Sequence, residues 1–301
     1  MNGVVAALSR ASGNVSQMGA PVQQTPIEMD RSRLPAAVVD RYCTDGFVVL
    51  EQVIDPQLLR RIVDEWEAFM ATDTPTLLPT DAPAAVFWRH VPGEKKRMRP
   101  LPEFESLAEL ALGEVTTSIA RQLALASLGE SELRLLETIV FSKPPGVSGV
   151  LSWHQDTAYF PFEPQNQVAL WIPLETVDVD NGTLQYAVGT HKLGLTCPVD
   201  LHTGEPMGSL ERPRVPSDPA HEGHDVVTVR LEPGGLAVHD SRTWHRSLPN
   251  VSVDRQRRAI SLRYLVGETR YVPRGGVAQS MKHQAGVAAG ELISGPAFPL
   301  V

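Results

Sequence analysis

The run Leu151-Ser152-Trp153-His154-Gln155-Asp156-Thr157-Ala158-Tyr159-Phe160 decides how the rest of the chain is read. His154 and Asp156 are two residues apart, so on an extended strand both side chains leave the same face. An imidazole and a carboxylate aimed at one point can hold a divalent metal. A third donor must come from elsewhere, and His239-Asp240-Ser241-Arg242-Thr243-Trp244-His245-Arg246-Ser247 offers two histidines. Position alone does not choose between His239 and His245; the Ser247 and Pro249-Asn250 that follow favour His245. Two histidines and one carboxylate on one side of a metal leave the opposite positions open, the ligand set of non-haem Fe(II) oxygenase sites.

Outward from that run, short apolar stretches alternate with turn residues at 133–142, 150–155, 168–174, 183–188, 226–231, 235–239 and 257–266. Repeated short strands punctuated by Gly and Pro indicate a sandwich or barrel. Upstream the period changes to that of helices. Leu34 to Thr44 reads as a helix closed by Gly46, and Phe47-Val48-Val49-Leu50 as a buried strand. Asp55 and Pro56 are good N-cap and first-turn residues for a helix to about Met70, whose Leu58, Leu59, Ile62, Val63, Trp66 and Phe69 share one face. Two more helices are expected at roughly 103–111 and 113–128, before Gly129.

The expected architecture is mainly β with flanking α. A double-stranded β-helix, or cupin-like jelly roll, spans about 133–270, under an N-terminal helical layer of about 34–128. Residues 31–301 are read as a single domain that includes a C-terminal tail at 271–301, preceded by a mobile tail at 1–30. Residues 71–83 read as loop, Phe87 to His90 as a strand, and 198–224 as a long lid or substrate loop. The basic run Lys95-Lys96-Arg97-Met98-Arg99 reads as a solvated loop, or alternatively as a cation source for an anionic substrate or cosubstrate. Tyr159, Phe160 and Phe162 are candidates for an apolar wall, or for plain core.

A net charge of −8 argues against nucleic-acid and anionic-membrane partners and leaves a small molecule as the expected one. Cys43 and Cys197 make no disulfide framework, which fits a reducing, cytoplasmic setting. No apolar run is long enough to span a bilayer, and no secretory signal is read at the N-terminus.

Arg257 follows His245 by twelve positions, a spacing that suits a turn and a return strand carrying a guanidinium back beside the metal. A guanidinium grips a carboxylate through two parallel hydrogen bonds, and Ser247 is placed to add a third. Strand alternation sends only one of Arg257 and Arg258 inward.

Trp153-His154-Gln155-Asp156 with Tyr159-Phe160-Pro161, then Asn181-Gly182-Thr183-Leu184, Gly189-Thr190-His191 and Pro233-Gly234-Gly235, resembles the phytanoyl-CoA dioxygenase family. So do Trp244-His245-Arg246-Ser247 with Pro249-Asn250, and Arg257-Arg258-Ala259-Ile260-Ser261; the likeness covers roughly residues 35–270. The resemblance implies an oxidoreductase using Fe(II), 2-oxoglutarate and O2. It matches His154, Asp156 and His245 to the iron ligands, and Arg257, assisted by Ser247, to the far carboxylate of 2-oxoglutarate. It matches Gln155 and Trp171 to positions lining the cosubstrate pocket. Related halogenases carry a small residue where this chain keeps Asp156, so halogenation is not expected. Hydroxylation of an unactivated C–H of a small molecule, in specialised metabolism, is the expected outcome. Desaturation, cyclisation and epimerisation share the same cofactor chemistry. A metal-binding jelly roll with other chemistry would have no need of Arg257 and Ser247. Asp156→Ala is expected to abolish turnover, followed as succinate release; full activity in that variant would remove Asp156 from the ligand set.

Overall fold

In the computed structural model the residues described are 33–72, 85–90, 95–146, 149–207, 211–273 and 287–301. The expected tail at 1–30 and most of the expected loop at 71–83 lie outside them. The helices are α1 (Ala36–Asp45), α2 (Pro56–Met70), α3 (Glu105–Leu112) and α4 (Glu114–Leu128). The strands are β1 (Phe47–Leu50), β2 (Ala85–His90), β3 (Lys95–Pro100), β4 (Leu133–Lys143), β5 (Leu151–His154), β6 (Phe162–Glu163) and β7 (Gln167–Pro173). They continue with β8 (Leu184–Ala187), β9 (Val226–Thr228), β10 (Leu236–Asp240), β11 (His245–Ser247), β12 (Arg257–Val266) and β13 (Arg270–Tyr271).

The helix signals act as the sequence predicts. The Asp55 carboxylate accepts a hydrogen bond from the Gln57 amide at 2.8 Å, capping α2 ahead of Pro56. Leu59, Ile62, Trp66 and Phe69 form the buried stripe of that helix. Gly46 ends α1 at φ +85°, where a Cβ would fall 2.4 Å from His191 Nδ1 and 2.5 Å from Thr243 Oγ1. Only glycine permits both the left-handed turn and that approach. Leu101–Glu103, placed partly in a helix by the sequence, is a short 3-10 turn leading into α3.

Two sheets face one another. The larger runs β1-β10-β7-β12-β4-β2-β3 and the smaller β5-β11-β8-β9, with β13-β6 as a separate pair. This is the expected jelly-roll arrangement, antiparallel except where β2 runs parallel to β4. Helices cover the outer face of the large sheet. There Ile260, Leu262, Tyr264 and Val266 of β12 join one apolar cluster with Leu59, Trp66, Leu107 and Leu123. A second cluster fills the space between the sheets, with Trp171, Ala237 and Ala259 from one side and Leu184 and Tyr186 from the other.

One expectation needs correction here. The run Lys95 to Arg99 is not a loop but β3, the edge strand paired with β2. Arg99 itself bonds Glu103 at 3.0 Å and lies over the Phe69 ring. The expected C-terminal tail also packs onto the domain where it is described. Ile293 and Phe298 are buried, and the Val301 amide bonds the Leu133 carbonyl at 3.0 Å. No described helix is long and apolar enough to cross a membrane.

Leu262 is fully buried between β12 and the helices. Leu262→Ala is expected to cost about 2–5 kcal/mol in urea unfolding; a loss under about 1 kcal/mol would mean the helical layer does not pack closely there.

Candidate functional site

Antiparallel pairing of β5 with β11 puts His154 and His245 directly opposite each other. Strand β5 stops at His154, so Asp156 does not lie on it as expected; it is the first residue of a 3-10 turn. Gln155 keeps extended backbone, at φ −109° and ψ 134°, and the two side chains still converge. Oδ1 of Asp156 stands 3.6 Å from His154 Nε2 and 3.8 Å from His245 Nε2. The three donor atoms lie within 4.8 Å of one another, and all three residues are buried.

The hydrogen bonds of the two rings settle which nitrogens are free. His154 Nδ1 meets the Ser152 carbonyl at 2.7 Å, and His245 Nδ1 meets the Thr243 carbonyl at 3.0 Å. A carbonyl only accepts, so both Nδ1 atoms carry the proton and both Nε2 lone pairs point at Asp156. Burial, reinforced by His154 beside it, holds the His245 ring well below the usual histidine range and so neutral. Burial works to raise the Asp156 carboxyl, but the Arg263 guanidinium, with the bond from His239 Nε2, holds it well below the ordinary carboxylate range. Two neutral imidazoles and one carboxylate are the protonation states a divalent metal needs.

His239, the rival third donor, is turned differently. Its Nε2 lies 3.3 Å from Asp156 Oδ2 and its Nδ1 3.0 Å from the Tyr186 hydroxyl. An ionised carboxylate only accepts, so Nε2 bears the hydrogen and Nδ1 takes the tyrosine proton. His239 has no lone pair left to offer, whereas His245 keeps its Nε2 facing Asp156 and joins the group whose donor atoms lie close enough to share an ion.

The trio opens into a cavity of about 160 Å3 whose lining includes Trp171, Ser247 and Arg257. Ser247 lies two residues past His245, and Arg257 begins β12. Both are buried, yet Ser247 Oγ and Arg257 Nε have no partner among the described residues. The Arg257 guanidinium carbon sits 5.8 Å from the Trp171 ring centroid. Burial pulls Arg257 down to about 9 against the opposing pull of Glu175, so it stays cationic at neutral pH. Arg258, on the other face of the strand, pairs with Glu175 and Glu67, as alternation requires. A buried cation with no ion-pair partner among the described residues, sharing a cavity with a bare hydroxyl, is costly to keep and is suited to an anionic oxygen.

Gln155 does not line this cavity. Alternation turns it away from its two neighbours, and its amide is spent on the carbonyls of Gly194 and Arg242 and the Thr196 amide, all at 2.8 Å. It is a strut tying the metal-side turn to the loops behind it. Tyr159 and Phe160 do line the cavity, together with Leu201 from the long 198–224 segment. His191 braces a turn, with Nε2 3.2 Å from the Cys43 carbonyl. The sequence reading missed Arg263 and Glu137, which also line the cavity. The signal was present: Arg263 is six residues past Arg257, on the same face of β12, and Glu137 is its partner on β4.

The model of the family described as phytanoyl-CoA dioxygenase (PhyH) matches residues 42–259. The chain belongs to the phytanoyl-CoA dioxygenase family. A phytanoyl-CoA dioxygenase of Arabidopsis thaliana is 30% identical over 137 residues, covering 46% of each chain. The chain thus spans about half the length of the first curated phytanoyl-CoA dioxygenases it matches. Among solved structures, the non-haem alpha-ketoglutarate-dependent carbocyclase SnoK from nogalamycin biosynthesis superposes with a TM-score of 0.68 at 19% identity, covering 92% of this chain and all of that one. The epimerase SnoN, solved with Fe3+, alpha-ketoglutarate and a nogalamycin compound, gives 0.64 at 22% identity, covering 88% and 97%. At these identities the likeness speaks for the fold.

In this family member a buried amine, Lys143, faces Arg257 across β4 and β12. Its Nζ donates to the carbonyls of Gly149 and Leu248. Burial, then Arg257, lowers it from 10.5 to about 6. Between those limits the unfolded chain holds a proton the folded one has lost, so stability rises with pH. Relative to Lys143→Met, the wild type is expected to gain about 1.4 kcal/mol per unit between about pH 7 and 9 in urea unfolding. Parallel pH profiles would show that Lys143 folds charged.

Proposed function

We propose that this protein is an Fe(II)- and 2-oxoglutarate-dependent dioxygenase acting on a small molecule. His154, Asp156 and His245 would hold the iron through Nε2, Oδ1 and Nε2. Arg257 and Ser247 would hold the far carboxylate of 2-oxoglutarate, with Trp171 forming the wall beside it. The observation that carries the reading is a pair of donors without a partner among the described residues, Ser247 Oγ and Arg257 Nε, buried in the same cavity as the three metal donors. A metal-binding jelly roll with hydrolytic chemistry would leave that cation without a purpose. Membership of the phytanoyl-CoA dioxygenase family and the 2-oxoglutarate named for both structural neighbours support it.

When bound, iron and 2-oxoglutarate supply an oxidant from O2, with release of succinate and carbon dioxide. The protein's own residues do the rest. The carbonyls of Ser152 and Thr243 keep the imidazoles in the ligating tautomer. Arg257 fixes one end of the cosubstrate, and a cavity walled by Leu151, Phe141, Ile139 and Phe160 keeps bulk water from the reacting centre. We assign hydroxylation of a C–H bond as the reaction outcome. The two structural neighbours, an epimerase and a carbocyclase, mark other outcomes met on this fold. Where the substrate carbon sits against the iron would choose among them.

The direct test is an anaerobic titration of the metal-free protein with Fe(II) and then 2-oxoglutarate. A visible charge-transfer band is expected. In Arg257→Ala cosubstrate affinity should fall about 10–100-fold, the worth of a charge-assisted pair. Iron binding without any band would assign the metal centre to different chemistry.

A further inference from the structure

The two oxygens of Asp156 meet different neighbours. Oδ1 faces the Nε2 atoms of His154 and His245 and also receives Arg263 Nη2 at 2.8 Å. Oδ2 faces away from them, receiving Arg263 Nε at 3.0 Å and lying 3.3 Å from His239 Nε2. Each of those two donors is itself held from behind. Arg263 Nη1 bonds Glu137, and the Tyr186 hydroxyl bonds His239 Nδ1 at 3.0 Å. Tyr186 is in turn stacked on Phe47, with ring centroids 4.5 Å apart and planes within 13°. Arg263, Glu137, His239 and Tyr186 are all buried.

A carboxylate next to a cation can offer one oxygen or both, and a free side chain rotates between the two. Here a guanidinium fork spans both oxygens and an imidazole N–H takes the second lone-pair side of Oδ2. We infer that Arg263 and His239, braced by Glu137 and Tyr186, are positioning residues that hold Asp156 so that Oδ1 alone is presented to the metal. This rests on the proposed metal site. The charge count agrees with it: one guanidinium stands against two carboxylates, so the cluster stays net negative and a divalent ion offsets it. Had Arg263 been there only to neutralise Asp156, Glu137 would be an added buried charge with no role.

The test uses Co(II), whose visible bands report the number and arrangement of ligands. Wild type, Arg263→Lys, Glu137→Gln and His239→Phe are titrated with Co(II) in metal-free form, and each is checked for folding by thermal unfolding. Arg263→Lys is expected to bind about 10–100-fold more weakly and with an altered band, because one ammonium cannot hold both oxygens. Glu137→Gln keeps an oxygen acceptor for Arg263 and is expected to retain the wild-type band. Folded Arg263→Lys with wild-type affinity and band overturns the proposal. So does a change in Glu137→Gln as large as in Arg263→Lys, since charge and not orientation would then matter. A merely structural role would lower the unfolding temperature and leave the band of the folded protein alone. If Arg263→Lys does not fold, His239→Phe decides: it leaves the guanidinium bonds intact, and an unchanged band overturns the proposal. Wild type that binds no Co(II) overturns the metal-site reading beneath it instead.

Discussion

Strand β12 has two buried faces, and the rest of the molecule is arranged to bury them. One face carries Ile260, Leu262, Tyr264 and Val266 into the helical layer. The other carries Arg257, Ala259, Ser261 and Arg263 toward the cavity, against β4 and β7 on either side. A period of two is what separates these sets, so a slip of one residue would drive two arginines into the apolar layer. Ten residues of pairing with β4 and seven with β7 hold that register. The helices cover one side and the small sheet the other, and the cavity is what remains between the sheets.

That geometry explains how so much charge is kept inside. Arg263 is neutralised locally by Asp156 and Glu137, and its guanidinium is held protonated by them against the cost of burial. Among the described residues Arg257 has no such partner, and it sits at the other end of the same strand face. The cavity therefore has a satisfied polar end beside the metal donors and an unsatisfied cationic end beside Ser247. Trp171 and Ile139 lie between the two along the sheet. A molecule with a chelating end and a distant carboxylate matches both ends at once.

Much of this was legible because local rules and global fold agree. Asp55-Pro56 caps a helix, Gly46 and Gly129 stop two others, and the apolar run 257–266 is a strand at those limits. The less legible parts depend on partners distant in sequence. The run Lys95 to Arg99 looks like surface loop until β2 supplies a strand edge for it. Gln155 looks like a cavity residue until the carbonyls of Gly194 and Arg242 are seen to claim its amide. Residues 287–301 look like a tail until the Leu133 carbonyl accepts from the Val301 amide and Arg134 Nη1 donates to the Phe298 carbonyl.

The sequence by itself determined the pattern of two histidines, an aspartate and a following arginine, and the alternation that sends only one of Arg257 and Arg258 inward. Those follow from spacing along one chain, because a strand's pleat needs no neighbour to set it. Only the tertiary structure decided between His239 and His245. Their tautomers are set by acceptors that folding brings up, a backbone carbonyl for one and the Asp156 carboxylate with Tyr186 for the other. The same holds for Arg263 and Glu137, which are 126 residues apart and become a pair only when β4 and β12 lie side by side.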